Sequence, residues 1–299
     1  GADIQDMHGC PPVIVGSTGG LSSPFGIFVS GKYAYVANYN ATSIAIFDVS
    51  NPSSPVLKTL VSDSTNLPNP AGVFVSGRYA YVVGGAGTGY LTVVDISNPN
   101  AAKAVGRVVD GTILNAAHGV YVVGKFAYVT GATNDYLSVV DISNPSSPVI
   151  VGSRQDTTNL DGAQGIFVSG RYAYVAAPNT SRLTIVDVNN PFSGNLAVVG
   201  TVSDTVNLKK ANSVFVSGRY AYVAGQDSNR LTAVDISNPA SPGVVGAVTS
   251  TTDLNVNSTS SGNVFVSGRY AYVASKVNKL TVVDLQGSDL SSASVGSVS

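Results

Sequence analysis

The chain has 299 residues, and its 16 lysines and arginines nearly cancel 17 acidic residues, so that the net charge is −1 and only 11% of residues are charged. All the acidic residues are aspartates; a chain without Glu or Trp, with one Met, 32 Gly and 14 Pro, lacks the residues that build exposed helices, which predicts an all-β protein. The near-zero charge argues against nucleic acid or anionic membranes as partners, and no apolar run reaches the roughly 18 residues of a membrane-spanning helix.

The first 16 residues form a segment that differs from the rest of the chain. The run Met7-His8-Gly9-Cys10 holds the only Met, the only Cys and one of the two His. His8 and Cys10 are donors that copper or zinc would accept, although a complete site needs more of them. The alternative is that these side chains are simply packed or exposed. A β-like run, Pro12-Val13-Ile14-Val15-Gly16, ends this segment, and residues 17–299 form the second unit.

Residues 17–299 contain six copies of one repeat. The sequence FVSGRYAYV at 74–82 returns almost unchanged, and its glycines are Gly31, Gly77, Gly124, Gly170, Gly218 and Gly268, spaced by 46 to 50 residues. A second element, LTVVDISNP at 91–99, follows each copy in similar form. Repeats of this length indicate a solenoid or a propeller.

Each repeat is predicted to contain four β-strands. In the second repeat these are Val73–Ser76, Tyr79–Val83, Leu91–Asp95 and Ala104–Val109, separated by Ser-Gly-Arg and Ser-Asn-Pro turns. Four strands per 46 to 50 residues is the pattern of a propeller blade. A solenoid would need atypical polar caps, and the terminal repeats here are nearly regular. We therefore predict a six-bladed β-propeller of four-stranded antiparallel blades.

One cation and one aspartate recur in every repeat. The predicted pairs are Lys32 and Asp48, Arg78 and Asp95, Lys125 and Asp141, Arg171 and Asp187, Arg219 and Asp235, and Arg269 and Asp284. If the second and third strands form a hairpin, each cation begins one strand where its aspartate ends the other. An ion pair present in every blade is expected to be structural and not catalytic.

The element Leu91-Thr92-Val93-Val94-Asp95, with its flanking Tyr-Ala-Tyr-Val and Asp-Ile-Ser-Asn-Pro pieces, resembles the repeat for which the LVIVD-repeat proteins are named. The resemblance covers roughly residues 12–296. It implies a β-propeller that is often exported or surface-attached. The family has no common catalytic residues, so the resemblance gives no site residues to carry over and does not name an activity.

Polar residues precede the innermost strand in three adjacent repeats. His118, Gln164 and Asn212 would converge near one mouth of the central channel, where propellers commonly bind small ligands. His118 could ligate a metal or act as a base. The alternative is that these side chains only hydrate the channel.

A metal-dependent hydrolase is a further alternative. It would require an acidic cluster near the axis, and a ring of aspartates that recurs after the fourth strand could hold calcium: Asp63, Asp110, Asp156, Asp204 and Asp253. Their recurrence in the repeat also fits turn formation. We expect no enzyme and no required cofactor.

Low charge and abundant Ser, Thr, Asn, Gly and Tyr are typical of an exported protein, so we expect an extracellular or cell-surface location. Three Asn-x-Ser/Thr sequons, at Asn40, Asn179 and Asn257, are candidate glycosylation sites. Expected partners are copies of the same chain, surface glycans or surface proteins.

The fourth-strand pattern occurs seven times, once more than the other elements. Pro12-Val13-Ile14-Val15-Gly16 matches the run PVIVG at 148–152, and a Ser-rich copy ends at Gly296. The C-terminal copy, Ala293-Ser294-Val295-Gly296, could finish blade six, which leaves one strand surplus. In one interpretation the C-terminal copy is instead a fifth strand or a tail, because the N-terminal strand closes the ring by pairing into the last blade. Alternatively, the N-terminal strand pairs with a neighbouring molecule, and a contact of that kind that does not close builds a filament. The predicted function is a non-catalytic structural or adhesive surface propeller, with ligand binding at the channel mouth as the alternative.

Overall fold

The computed structural model describes residues 17–85, 87–225, 228–251, 254, 264–275, 279–285 and 295–298. The described residues form 24 strands in six antiparallel sheets, and each sheet consists of four strands that are consecutive in the chain. The innermost strands surround one channel, so that the sheets are the blades of a six-bladed β-propeller. The predicted fold class and the repeat assignment are confirmed.

The strands of blades one to six occupy four successive positions from the channel outwards. The innermost strands are β1 (Pro24–Ser30), β5 (Pro70–Ser76), β9 (Ala117–Val123), β13 (Ile166–Ser169), β17 (Ala211–Ser217) and β21 (Val264–Ser267). The second strands are β2 (Tyr33–Asn38), β6 (Tyr79–Gly84), β10 (Phe126–Gly131), β14 (Tyr172–Ala177), β18 (Tyr220–Gly225) and β22 (Tyr270–Ser275). The third strands are β3 (Ser43–Asp48), β7 (Tyr90–Asp95), β11 (Tyr136–Asp141), β15 (Arg182–Asp187), β19 (Arg230–Asp235) and β23 (Lys279–Asp284). The outermost strands are β4 (Val56–Ser62), β8 (Lys103–Val109), β12 (Val149–Gln155), β16 (Ala197–Ser203), β20 (Gly243–Thr249) and β24 (Val295–Val298). A short 3-10 turn, Tyr39–Ala41, joins β2 to β3.

The second strand of each blade is apolar on both faces because it is packed between two other blades. In β6, Ala80 and Val82 join the hydrophobic cluster shared with blade one, whereas Tyr81 and Val83 join the cluster shared with blade three. Alternate residues of a strand point to opposite faces, so one Tyr-Ala-Tyr-Val run supplies both interfaces. The hydrophobic core therefore consists of layers that lie between neighbouring blades.

The loop after each outermost strand links one blade to the next. Asp156 accepts hydrogen bonds from the backbone N–H groups of Thr158 (3.1 Å) and Asn159 (2.9 Å), which closes the turn. Leu160, next in the chain, is fully buried in the interface between blades three and four. The hydroxyl of Thr184 in β15 donates to the backbone carbonyl of Asn159, so the turn is also bonded to the following blade.

The outermost strands of blades one to five each span seven residues and contain a β-bulge, as between Val139 and Val140 in the pairing of β11 with β12. Strand β24 differs, since it pairs with β23 over four residues without a register shift. In that pairing Gly296 lies opposite Val282.

The C-terminal copy of the fourth-strand pattern therefore completes blade six. The prediction that it could finish blade six is confirmed, and the alternative that it forms a fifth strand or a tail is wrong, because it pairs with the edge of β23 as the fourth strand. The strand expected to close the ring, Pro12-Val13-Ile14-Val15-Gly16, lies outside the described residues, as does the rest of the segment 1–16.

Candidate functional site

The central channel encloses a cavity of about 650 Å³ that all six innermost strands line. At the same position in each of these strands stands an aromatic residue. We call these six residues the aromatic collar: Phe28, Phe74, Tyr121, Phe167, Phe215 and Phe265. The ring centroids of successive members are 4.6 to 5.0 Å apart from Phe28 round to Phe265, which is the spacing of aromatic pairs in contact.

Glycines next to the collar allow the innermost strands to approach one another. A Cβ on Gly72 would lie 2.3 Å from the carbonyl oxygen of His118, and one on Gly119 would lie 2.2 Å from that of Gln164. The N–H of Gly165 donates directly to the carbonyl of Asn212 (2.9 Å). The backbone carbonyls of His118, Gln164 and Asn212 therefore each lie against a glycine of the preceding blade and help to join two blades.

The three predicted ligand-binding residues stand at these joining positions. The side-chain amide of Asn212 donates to the side-chain oxygen of Gln164, so the structure brings these two together. His118 is largely buried, and burial lowers the pKa of its imidazole below 6.5. None of the three is among the residues that line the cavity in the described part of the chain.

The Arg–Asp pairs lie together at the rim formed by the turns between the first and second strands. The four arginine pairs form salt bridges: Arg78–Asp95, Arg171–Asp187, Arg219–Asp235 and Arg269–Asp284. Each arginine also lies over the ring of the next tyrosine, 5.2 to 5.5 Å from its centroid. The hydrogen bond from Arg219, with those from Ser237, lowers the pKa of Asp235 to about 2.

In blades one and three, where the cation of the repeat is a lysine, the predicted pair does not form a salt bridge like those of the arginines. Asp48 has its salt bridge with Lys58 (3.7 Å), whereas Lys32 lies over the ring of Tyr33. In the third blade, Asp141 accepts the N–H of Ser143 (2.9 Å), and Lys125 lies over a phenylalanine ring. The compact ammonium lacks the planar fork with which arginine reaches a carboxylate.

The aspartates that could have formed a calcium ring lie in the turns that link the blades. Asp63, Asp110, Asp156 and Asp204 each accept two backbone N–H groups of their own turn, while Asp253 lies outside the described residues. Across the described ranges, no three His, Cys or Asp side chains come close enough together to hold a metal ion. The candidate ligands His8 and Cys10 lie outside those ranges.

Two of the three sequons can be placed. Asn40 is exposed in the 3-10 turn and its amide donates to the hydroxyl of Ser23 (2.8 Å). Asn179 is exposed in the loop between β14 and β15 and bonds to Asp161 (2.8 Å). Asn257 lies outside the described residues.

Blades six and one face each other across what we call the seam. Ile27 and Val29 of β1 are each 57% exposed. Their ten equivalents in the other blades are only 5 to 9% exposed: Val73, Val75, Val120, Val122, Ile166, Val168, Val214, Val216, Val264 and Val266. On the other side, Tyr272 and Val282 of blade six are half-buried where their equivalents are buried. Among the described residues, the inner part of the seam is thus the least packed interface of the ring.

Farther from the axis, the same face of blade one is covered. Ala34, Val36, Ala45 and Phe47 are buried there, with Leu21 packed against them. Leu21 stands six residues before Ile27, as Leu160 stands six before Ile166, so it fills the equivalent place. The chain immediately before it, residues 17–20, is exposed.

Sequence reasoning missed the aromatic collar and the seam. The signal for the collar was present, since one aromatic residue recurs at a fixed position of each repeat. The seam has no such signal because Ile27 and Val29 look like any other copy. No helix in the described ranges has the length and hydropathy to span a membrane.

A family model described as "LVIVD repeat" matches six stretches: 25–63, 70–110, 116–156, 162–202, 209–250 and 259–298. No curated protein sequence matches the chain.

Solved structures share the fold at low identity. A protein from Lactobacillus plantarum is 16% identical with a TM-score of 0.76, over 95% of this chain and 86% of that one. A putative 6-phosphogluconolactonase from Bacteroides fragilis is 16% identical with a TM-score of 0.71, over 90% and 82%. A functionally unknown protein from Desulfotomaculum acetoxidans is 11% identical with a TM-score of 0.73, over 89% and 84%. At such identities the likeness concerns the fold alone.

Proposed function

The chain belongs to the LVIVD-repeat family, and from that premise we propose that it is a non-catalytic, extracellular structural propeller that assembles with copies of itself by strand addition. The donor is the N-terminal run Pro12-Val13-Ile14-Val15-Gly16, and the acceptor is the edge of β23 in a neighbouring copy. The observation that carries the proposal is that two copies of the fourth-strand pattern exist for this single edge.

Strand β24 occupies the edge of β23 in the structure, and of the two candidate runs it matches the fourth-strand pattern less well. Strand β24 pairs without the bulge found in the other five blades. The residues before Gly296 are rich in serine, whereas those before Gly16 are valine and isoleucine, which favour strands.

The connection to blade one works against insertion of the N-terminal run into its own blade six. In blades two to five, the fourth-strand glycine precedes the buried leucine of the next loop by eight residues, as in Gly152 and Leu160. Gly16 precedes Leu21 by only five. Five residues span at most roughly 18 Å when fully extended, so the usual register would require a stretched connection. The same five-residue link applies in a neighbouring copy, but the ring does not fix the position of that copy, so its β23 edge can approach Leu21.

The surface is compatible with association. The net charge is −1 and the mean hydropathy is +0.23, so little electrostatic repulsion separates the copies. We place the protein outside the cell on its low charge and its exposed sequons at Asn40 and Asn179, where glycans would lie on the rim of the disc.

Electron microscopy and light scattering of the purified full chain test the proposal. Ile14→Asp puts a charge into the donor strand and should leave single discs, whereas the control Ser17→Asp, at an exposed position just outside it, should still give filaments. Because the Ile14→Asp chain keeps an intact acceptor edge, adding it to unmodified chains should shorten their filaments. Single discs for the unmodified chain, or filaments for Ile14→Asp, would overturn strand donation.

A further inference from the structure

The geometry points to a second use of the ring: we propose that the aromatic collar binds one linear, uncharged hydrocarbon chain along the axis of the channel, such as that of a medium-chain alcohol. The site comprises the collar and the seam residues Ile27 and Val29, which line the same cavity. This inference is independent of strand donation.

The chemistry of the wall selects an uncharged ligand. The described lining residues are Gly, Val, Ile, Phe, Tyr and Ser, and no charged side chain is among them. An ion moved into such surroundings would lose hydration without gaining a partner. The hydroxyl of Tyr121 is the single polar group of the collar.

The dimensions select a chain-like ligand. The five centroid distances from Phe28 round to Phe265 are 4.6 to 5.0 Å. A closed ring of six aromatic residues with this spacing would have its centre about 5 Å from each centroid, which is near the roughly 3.5–4.0 Å contact distance of the nearest ring atoms. A methylene chain on the axis is narrow enough to contact rings on several sides of the channel at once, whereas a bulkier group would force them apart.

Exposed apolar surface on the cavity wall provides a driving force. Ile27 and Val29 are 57% exposed and Phe265 is 58% exposed, although all three face the channel or its seam. A hydrocarbon chain in the cavity would cover this surface and remove it from water. The volume of about 650 Å³ also falls in the roughly 300–1,000 Å³ range of small-molecule sites.

The test uses the full chain and equilibrium dialysis with radiolabelled 1-dodecanol, which carries the hydrocarbon chain proposed for the site. We expect saturable binding of one dodecanol per chain. Phe215→Lys places a charge in the collar and should weaken binding at least tenfold. Phe192→Lys, at a phenylalanine that is 59% exposed and outside the cavity, should leave binding unchanged.

A second variant guards against loss of folding. Phe74→Trp keeps the collar apolar but fills part of the axis, so it should lower dodecanol affinity several-fold while the circular dichroism spectrum and melting temperature stay near those of the unmodified chain. Equal binding by Phe215→Lys, loss of binding in Phe192→Lys, or no saturable binding of dodecanol by the unmodified chain would each overturn the proposal. So would unchanged affinity in a folded Phe74→Trp chain.

Discussion

The carbonyl oxygen of Pro191 lies 2.2 Å from the place that a Cβ on Gly152 would occupy. Gly152 belongs to the outermost strand of blade three, and Pro191 to the turn that follows the third strand of blade four. The contact recurs between Gly106 and Pro145, and between Gly200 and Pro239. The Asn-Pro turns of blades three, four and five therefore each pack closely against a glycine in the outermost strand of the preceding blade.

We predict that Gly152→Ala destabilises the protein by about 1–3 kcal/mol, because two backbone oxygens, those of Pro191 and Ser193, must move. Gly194→Ala is the matched control, since its Cβ would meet nothing within 4 Å. Guanidinium titrations of both variants measure the difference. Equal midpoints would show that the contact is not tight in solution.

The seam can be tested with one substitution made at two equivalent positions. Val75→Ala, at a side chain 6% exposed, should cost about 2 kcal/mol of unfolding free energy. Val29→Ala, at a side chain 57% exposed, should cost less than about 0.5 kcal/mol. If both cost the same, blade six covers β1 in solution as tightly as the other blades cover their neighbours.

Stability should fall as the pH drops below about 6.5, and His118 should be the cause. Burial lowers the pKa of His118 below 6.5, so the unfolded chain binds the proton more readily than the folded one. The stabilisation is complete above the unfolded pKa of 6.5 and is lost as the pH falls through the folded value. His118→Gln, which copies Gln164 of the next blade, should flatten this part of the profile. If the slope of stability against pH is unchanged in His118→Gln, the loss of stability belongs to another titrating group.

A second loss of stability is expected below about pH 4. Burial raises the pKa of Asp156, but its hydrogen bonds with Asn159 and Arg154 outweigh this and lower the value to about 2. The folded carboxylate therefore contributes stability above the unfolded pKa, and the contribution disappears as the pH falls towards 2. Asp156→Asn should cost about 1.5–3 kcal/mol at pH 7 and little at pH 2. The exposed Thr157→Ala is the control.

The sequence predicts the blades because each strand is specified locally, by alternating apolar residues and by turns such as Ser76-Gly77-Arg78. The strands of the second repeat differ from their predicted bounds by at most three residues, at the start of β5. The salt bridges with arginine follow from hairpin geometry, but the lysine pairs do not, because the compact ammonium lacks the planar fork with which arginine reaches the carboxylate while it lies over the ring.

The candidate site was less predictable. Polarity led to His118, Gln164 and Asn212, whereas the described cavity wall is built from apolar residues two to three positions later in each repeat. The exposure of Ile27 and Val29 depends on how blade six meets blade one, and that meeting joins residues more than 200 positions apart. Local patterns carry no information about such a contact.

Each sheet is made of four strands that are consecutive in the chain, which bears on how the protein folds during synthesis. A blade has all its strand partners as soon as its own stretch of chain has emerged, so no edge has to wait for a distant segment. Every completed blade then offers a finished apolar face as a template for the next. On this order of events the meeting of blades six and one is the last step. It is also the slow step, because strands β1 and β21 lie more than 200 residues apart in the chain.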